Sequence, residues 1–264
     1  MTSTATHLTP REFDAQMPDG SRLLSHNFDM ESSLHYMQLL LLVTCLEWFW
    51  RDGQRPAPEG YHQDYFIGAN LTIYFSRQQL KSEDSRGPDF FLVKNVEKRP
   101  RTSWVVWEEE GRYPDLIIEL LSDSTAKNDR GLEKTLYQDR FKTTEYFWFS
   151  PDSLEFEGFR LGQRGYETIV PNAQGWSWSQ ELGLYLGVHD SKLRYFQPNG
   201  ELVPTLEEDA TQQYEVARQE AQRAEQVTAQ LRQVVQRLSQ QGLEQEEISE
   251  LTGLTIAQIE DYLG

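Results

Sequence analysis

Apolar residues recur with several different rhythms along this chain, and each marks a different kind of element. Over residues 31–50 (ESSLHYMQLLLLVTCLEWFW) they run almost all round a helical wheel, which predicts a helix buried on most sides. Four short apolar runs follow, FIGANLTIYF, PDFFLVKNV, SWVVWEEE and PDLIIELLS, each bounded by turn residues and read as strands. The last, after Tyr113 and Pro114, has the unbroken apolar character of a central strand. Leu132, Leu136 and Tyr137 stand at helical spacing and place a helix over 128–140 despite Gly131 near its start. EYFWFS, LEFEGFRL and YETIV read as three further strands. Strand, helix and strand at this spacing imply a crossover unit, so the class is α/β or α+β with a mixed central sheet flanked by helices.

Residues 1–30 read as a polar arm, and RDGQRPAPEG as a loop rich in Pro and Gly. Past Pro204 the rhythm changes. Thr205 and Glu208 form a capping box, and a heptad seam of Ala210, Tyr214, Ala217, Ala221, Ala224, Thr228, Leu231, Val235 and Leu238 predicts a coiled coil over 205–240. Gly242 ends it. Residues 241–264 hold two short amphipathic helices broken at Gly253, with Thr255 and Gln258 as a second capping box. Their spacing resembles a helix-turn-helix, yet the second helix carries Glu260 and Asp261 and no Arg or Lys. Packing or partner docking therefore fits it better than reading DNA. The organisation expected is a core domain over 1–204, a coiled coil over 205–240 and a short helical tail over 241–264.

Composition narrows the class. In 264 residues, 38% hydrophobic and 12% aromatic, there is ample apolar area for a packed core. No apolar run reaches the roughly 18 residues that a membrane span requires, and the opening MTSTATHLTPREFD lacks a basic and an apolar region, so a cytoplasmic location is expected. The lone Cys45 lies inside the first apolar helix and reads as a small buried hydrophobe. Net charge is -17. Of 25 basic and 42 acidic residues, 4 and 12 fall in 205–264, so the tail carries -8 and the core -9. Any basic patch that meets nucleic-acid phosphates must be local, and KSEDSR, KNVEKRPR and KNDRGLEK are the segments able to form one.

The candidate chemistry is acidic. Glu119 sits within LIIELL, and a carboxylate buried there has to be protonated, paired or bound to a cation. Asp89 follows Pro88 at the head of FFLV, far enough before Glu119 for the chain to return and set the two carboxylates side by side. Asp115 opens the Glu119 strand on the same face, although an Asp after Pro is often only a turn residue. Converging carboxylate oxygens form a hard site suited to Mg2+ or Mn2+. Such an ion orients a phosphodiester and lowers the pKa of an attacking water, with a nearby Lys adding electrostatic stabilisation. His7, His26, His35, His62 and His189 show no paired spacing of a zinc site, and GxSxG, GxxxxGK[ST] and GxGxxG are all absent.

In that order, GPDFF, PDLIIELLSDST, DRGLEKTLYQD and EYFWFSP resemble the Uma-type restriction-endonuclease family, a divergent branch of the PD-(D/E)xK nucleases, over roughly residues 60–195. The resemblance implies a restriction-endonuclease-like mixed sheet flanked by helices and magnesium-dependent cleavage of DNA phosphodiester bonds. It carries the family's metal-binding Asp onto Asp89 and the acidic residue of the next core strand onto Glu119. The Lys expected two residues later falls on Leu121; in this branch a Lys of the following helix takes its place, matching Lys134, with Lys127 a weaker substitute. Glu47, on the first helix, matches the additional helix carboxylate of some superfamily members. Ser122 and Ser124 read as helix caps or phosphate contacts. Two functions follow: a metal-dependent endonuclease using Asp89, Glu119 and Lys134, or a nuclease-fold module with little cleavage that works through its coiled coil. In either, residues 205–240 are expected to make a homo-oligomer.

Overall fold

The computed structural model describes residues 32–51, 64–76, 85–122 and 129–264. Helix α1 (Ser33–Trp50) begins at Ser32, whose side chain accepts the His35 N–H, the usual device for satisfying the first free amides of a helix. The strands then run β1 (Tyr65–Ala69), β2 (Ile73–Tyr74), β3 (Ser85–Arg86), β4 (Phe90–Lys94), β5 (Trp104–Val105) and β6 (Leu116–Leu120). Helix α2 spans 129–141, followed by β7 (Glu145–Phe149), β8 (Phe156–Gly162) and β9 (Gly165–Thr168). A hairpin-built sheet of β10 (Ser177–Ser179), β11 (Leu184–His189) and β12 (Lys192–Phe196) completes the first of two compact units, which divide at Thr205 and Leu206.

The central sheet has the order β1-β4-β6-β7-β8-β9, with β6 and β7 parallel and every other neighbour antiparallel. The parallel pair is joined through α2, the crossover expected of this spacing. All five residues of β6 are buried. Because side chains alternate across a strand, Leu116, Ile118 and Leu120 face a core with Leu42, Leu46 and Trp50 of α1 and Leu184 and Leu193 of the small sheet. Ile117 and Leu121 face the other core, with Tyr137 and Phe141 of α2, Tyr146, Trp148 and Phe159. Each buried Leu or Ile contributes roughly 1.5–3 kcal/mol, which commits β6 to the middle of the sheet.

Three expectations change here. FIGANLTIYF is two strands in two sheets, because Asn70 takes a left-handed conformation (φ 46°) that turns the chain out of β1. SWVVWEEE contributes only two strand residues before a turn. The apolar α1 is not covered all round, since Leu34, Tyr36, Met37 and Leu40 are exposed opposite the face that packs on the sheet. The strands β10 to β12 were hidden from periodicity by their short length and the tight Asp190-Ser191 turn, where both residues have positive φ.

The second unit is three helices: α3 (Leu206–Gln240), α4 (Gln245–Thr252) and α5 (Ile256–Leu263). Gly242 (φ 90°) follows α3, and Gly253 (φ 71°) caps α4, so both glycines stand where left-handed backbone is needed. Thr255 and Gln258 form the capping box of α5. Val235, Ile248 and Ile259 are fully buried together, with Leu238 packed against them. The last third of the heptad seam is thus filled from the same chain, while Ala210 to Thr228 of the seam face outward. No helix among the described residues is long and apolar enough to cross a membrane.

Candidate active site

Asp89 immediately precedes β4. Continuing the antiparallel register of Phe90 with Ile118 by one step sets it across from Glu119, near the carboxyl end of β6. Each carboxylate is held by the other's strand. The Asp89 main-chain N–H donates to Glu119 Oε2 at 3.1 Å, and the Leu120 N–H donates to Asp89 Oδ2 at 2.7 Å. Glu119 is 4% exposed, in the plane of a core that otherwise holds Ile117 and Leu121. Main-chain donors of this kind orient a carboxylate without bringing a second side-chain charge against it.

A helix of unusual winding closes over the pair. In α2, π-helical turns (Asp129–Glu133 and Tyr137–Phe141) flank a short α-helical stretch (Lys134–Leu136), a geometry rare in general and frequent at functional sites. Tyr137 points inward from it and donates its hydroxyl to Glu119 Oε1 at 2.8 Å, with Glu133 Oε2 at 3.2 Å from the same oxygen. Burial, and then the charges of Glu119 and Glu133, raise the Tyr137 pKa well above the ordinary phenol value, so this hydroxyl stays a donor. Arg86 of β3 lies 3.6 Å from Glu133. On the other side of the sheet His35, 8% exposed, places Nε2 2.6 Å from Asp89 Oδ1.

Lys134 lies one strand over. Its Nζ sits 3.2 Å from the Phe159 ring centroid and 5.0 Å from that of Trp148, the residue in register with Glu119 on β7. Burial lowers its pKa, opposed by the charge of Glu157. The structure thus brings Asp89 and Glu119 into contact and seats Lys134 on the aromatic shelf beside them.

Two other candidates lie elsewhere. Asp115 is four residues before Glu119, so it stands about 13 Å away at the far end of β6. There its Oδ2 accepts the Lys94 N–H at 2.7 Å. Glu47 is twelve residues along α1 from His35, about 18 Å; it pairs with Lys98 and accepts the Tyr65 hydroxyl at 3.1 Å. Lys127 and Ser124 lie outside the described residues. The basic segment KNVEKRPR is already engaged: Lys94 with Glu181, Lys98 with Glu47, and Arg99 and Arg101 with Glu109. His35, Glu133 and Tyr137 were missed as site residues. Glu133 and Tyr137 could have been found together, being one helical turn apart on the helix that follows the Glu119 strand.

Among the described residues no group of three or more His, Cys, Asp or Glu side chains stands in metal-holding geometry. The pair Asp89 and Glu119 is nevertheless an oxygen-only donor set. That fits Mg2+, which is held through one or two carboxylates and keeps several waters.

Comparison with known proteins places the chain in a family. The family model described as "Uma2: Putative restriction endonuclease" matches residues 31–194. A solved structure described as "a putative nuclease belonging to DUF820", from Anabaena variabilis ATCC 29413, is 15% identical, with 56% of this chain and 76% of that chain covered and a TM-score of 0.39. No curated protein matches the chain. The matched stretch takes in α1, the strands bearing Asp89 and Glu119, and the helix bearing Lys134, and the chain belongs to the Uma2 restriction-endonuclease family.

Proposed function

We propose that this protein is a metal-dependent endonuclease that hydrolyses phosphodiester bonds of DNA. The observation that carries this reading is the reciprocal backbone clasp of Asp89 and Glu119, which fixes two carboxylates edge to edge at a strand end. Family membership supplies the reaction class.

Asp89 and Glu119 would hold Mg2+ or Mn2+, which when bound draws a phosphate to the site, lowers the pKa of the attacking water and stabilises charge at the phosphorus. Tyr137 keeps Glu119 oriented by donating to Oε1, leaving Oε2 toward Asp89. Lys134, held on Phe159 by cation–π attraction, is a long flexible side chain able to leave that shelf for the scissile phosphate or the incoming water. Its depressed pKa suits it to give or take a proton nearer neutrality than an ordinary Lys. Leu121, Trp148 and Phe159 make one wall of the site apolar, which strengthens these electrostatic contacts. The basic residues of KNVEKRPR are already paired with carboxylates, so this segment adds little to phosphate recognition.

The test is incubation of plasmid DNA with purified protein in Mg2+ or Mn2+, with and without a chelator, beside Asp89→Ala plus Glu119→Ala. Nicking that needs the metal and disappears in the double variant is the expected result. Equal nicking by the double variant would assign the activity elsewhere, and metal-independent nicking would remove the ion from the reaction.

A further inference from the structure

The buried imidazole of His35 has no part in the reading above, yet it touches the site directly. Its Nε2 is 2.6 Å from Asp89 Oδ1, and the ring comes from α1, a helix on the opposite face of the sheet from Glu119 and Tyr137. The position of that ring is fixed twice over. The main-chain N–H of His35 is capped by the Ser32 hydroxyl oxygen, which anchors the first turn of the helix. One turn later Gln38, 4% exposed, clasps β12 in both directions: its amide donates to the Leu193 carbonyl at 3.0 Å and accepts the Leu193 N–H at 3.0 Å. An amide bonded in both directions to one backbone residue sets the rotation of α1 about its axis. Residues 35 and 38 share a helix face, so this rotation also sets the reach of His35.

We infer that His35 is a positioning residue of the metal site, donating Nε2–H to Asp89 Oδ1 so that the carboxylate, already bound at Oδ2 by the Leu120 N–H, presents its remaining lone pairs in fixed directions. The inference rests on the proposed metal-binding role of Asp89. The chemistry is general: a carboxylate ligand pinned by a second hydrogen bond loses less freedom when it takes up a cation, and removing such an outer contact typically weakens metal affinity 10- to 100-fold. It also gives α1 a purpose beyond packing, since the helix delivers a buried imidazole to a strand end that the sheet alone would leave to main-chain donors.

The experiment is calorimetric titration of Mn2+ into the full chain as wild type, His35→Ala and His35→Gln, with far-UV circular dichroism of each. Gln places an amide N–H near the position of Nε2 and can replace the donor without an imidazole. The expected result is a Kd about 10- to 100-fold weaker in H35A and recovery to within about threefold of wild type in H35Q. Wild-type affinity in a folded H35A overturns the inference, as does a folded H35Q no better than H35A. If H35A does not fold, H35Q alone decides: near-wild-type affinity supports the donor role and a 10-fold or greater loss refutes it. Should wild type itself take up no Mn2+, the metal reading of Asp89 and Glu119 fails, and this inference with it. Binding by wild type with no effect of His35 sinks the inference alone.

Discussion

The two ends of β6 both bury acids, and they treat them differently. At the end that holds Asp115, the acids meet cations: Glu145, fully buried, takes Arg160 at 2.8 Å as well as the Gln180 N–H at 2.9 Å, and Glu181 pairs with Lys94. At the end that holds Asp89 and Glu119, the described donors to the two carboxylates are main-chain N–H groups, a tyrosine hydroxyl and an imidazole. Cations across a short gap cancel charge and tie elements together, here joining β7 to β8 through Arg160 and β4 to the segment after β10 through Lys94. Dipolar donors fix the orientation of a carboxylate without cancelling its charge. A buried acid is thus no sign of chemistry until its partners are known.

Substitutions at the two ends should therefore fail in different ways. Glu145→Ala removes the acceptor of Arg160, Ser179 and two main-chain amides, and about 3 kcal/mol of stability should go with it, read as a lower denaturation midpoint. Metal affinity should be untouched in the folded fraction. Lys134→Met should do the reverse: nicking falls about 10²- to 10³-fold while the unfolding free energy changes by no more than about 2 kcal/mol, the upper scale of a half-buried cation–π contact. Equal losses of activity and stability would make Lys134 structural.

Tyr137→Phe takes one donor from a buried carboxylate and should cost about 1–3 kcal/mol, with weaker Mn2+ binding as the distinguishing sign. The smallest effect is a change of slope at the other end. Burial raises the Asp115 pKa, so in the window between the ordinary carboxyl value and the raised one the native state binds more protons than the unfolded chain. Asp115 therefore lowers stability as pH rises through that window. Asp115→Asn, which keeps an acceptor for the Lys94 N–H, should flatten the thermal midpoint against pH there; an unchanged slope would exclude the group.

The fold and the carboxylate pair were legible because they rest on local pattern. LIIELL marks a doubly buried strand, the 128–140 periodicity marks the crossover helix, and a charged residue among Leu and Ile announces itself. Register did the rest, since Asp89 and Glu119 meet as soon as β4 and β6 pair. His35 was not legible, because nothing in ESSLHYMQ tells which strand end the helix will overlie; Gln38 and Leu193, 155 residues apart in sequence, decide that. Glu47 and Asp115 do not join the carboxylate pair, for a related reason. Each lies on an element that reaches the pair, but at the opposite end of it, and distance along an element is invisible until its partners are fixed.

The most direct test is calorimetric titration of Mg2+ and Mn2+ into wild type, Asp89→Ala plus Glu119→Ala, and Asp115→Ala. The account predicts binding to wild type and to Asp115→Ala with similar affinity, and none to the double variant. Binding retained by the double variant, or lost in Asp115→Ala while the protein remains folded, would contradict it.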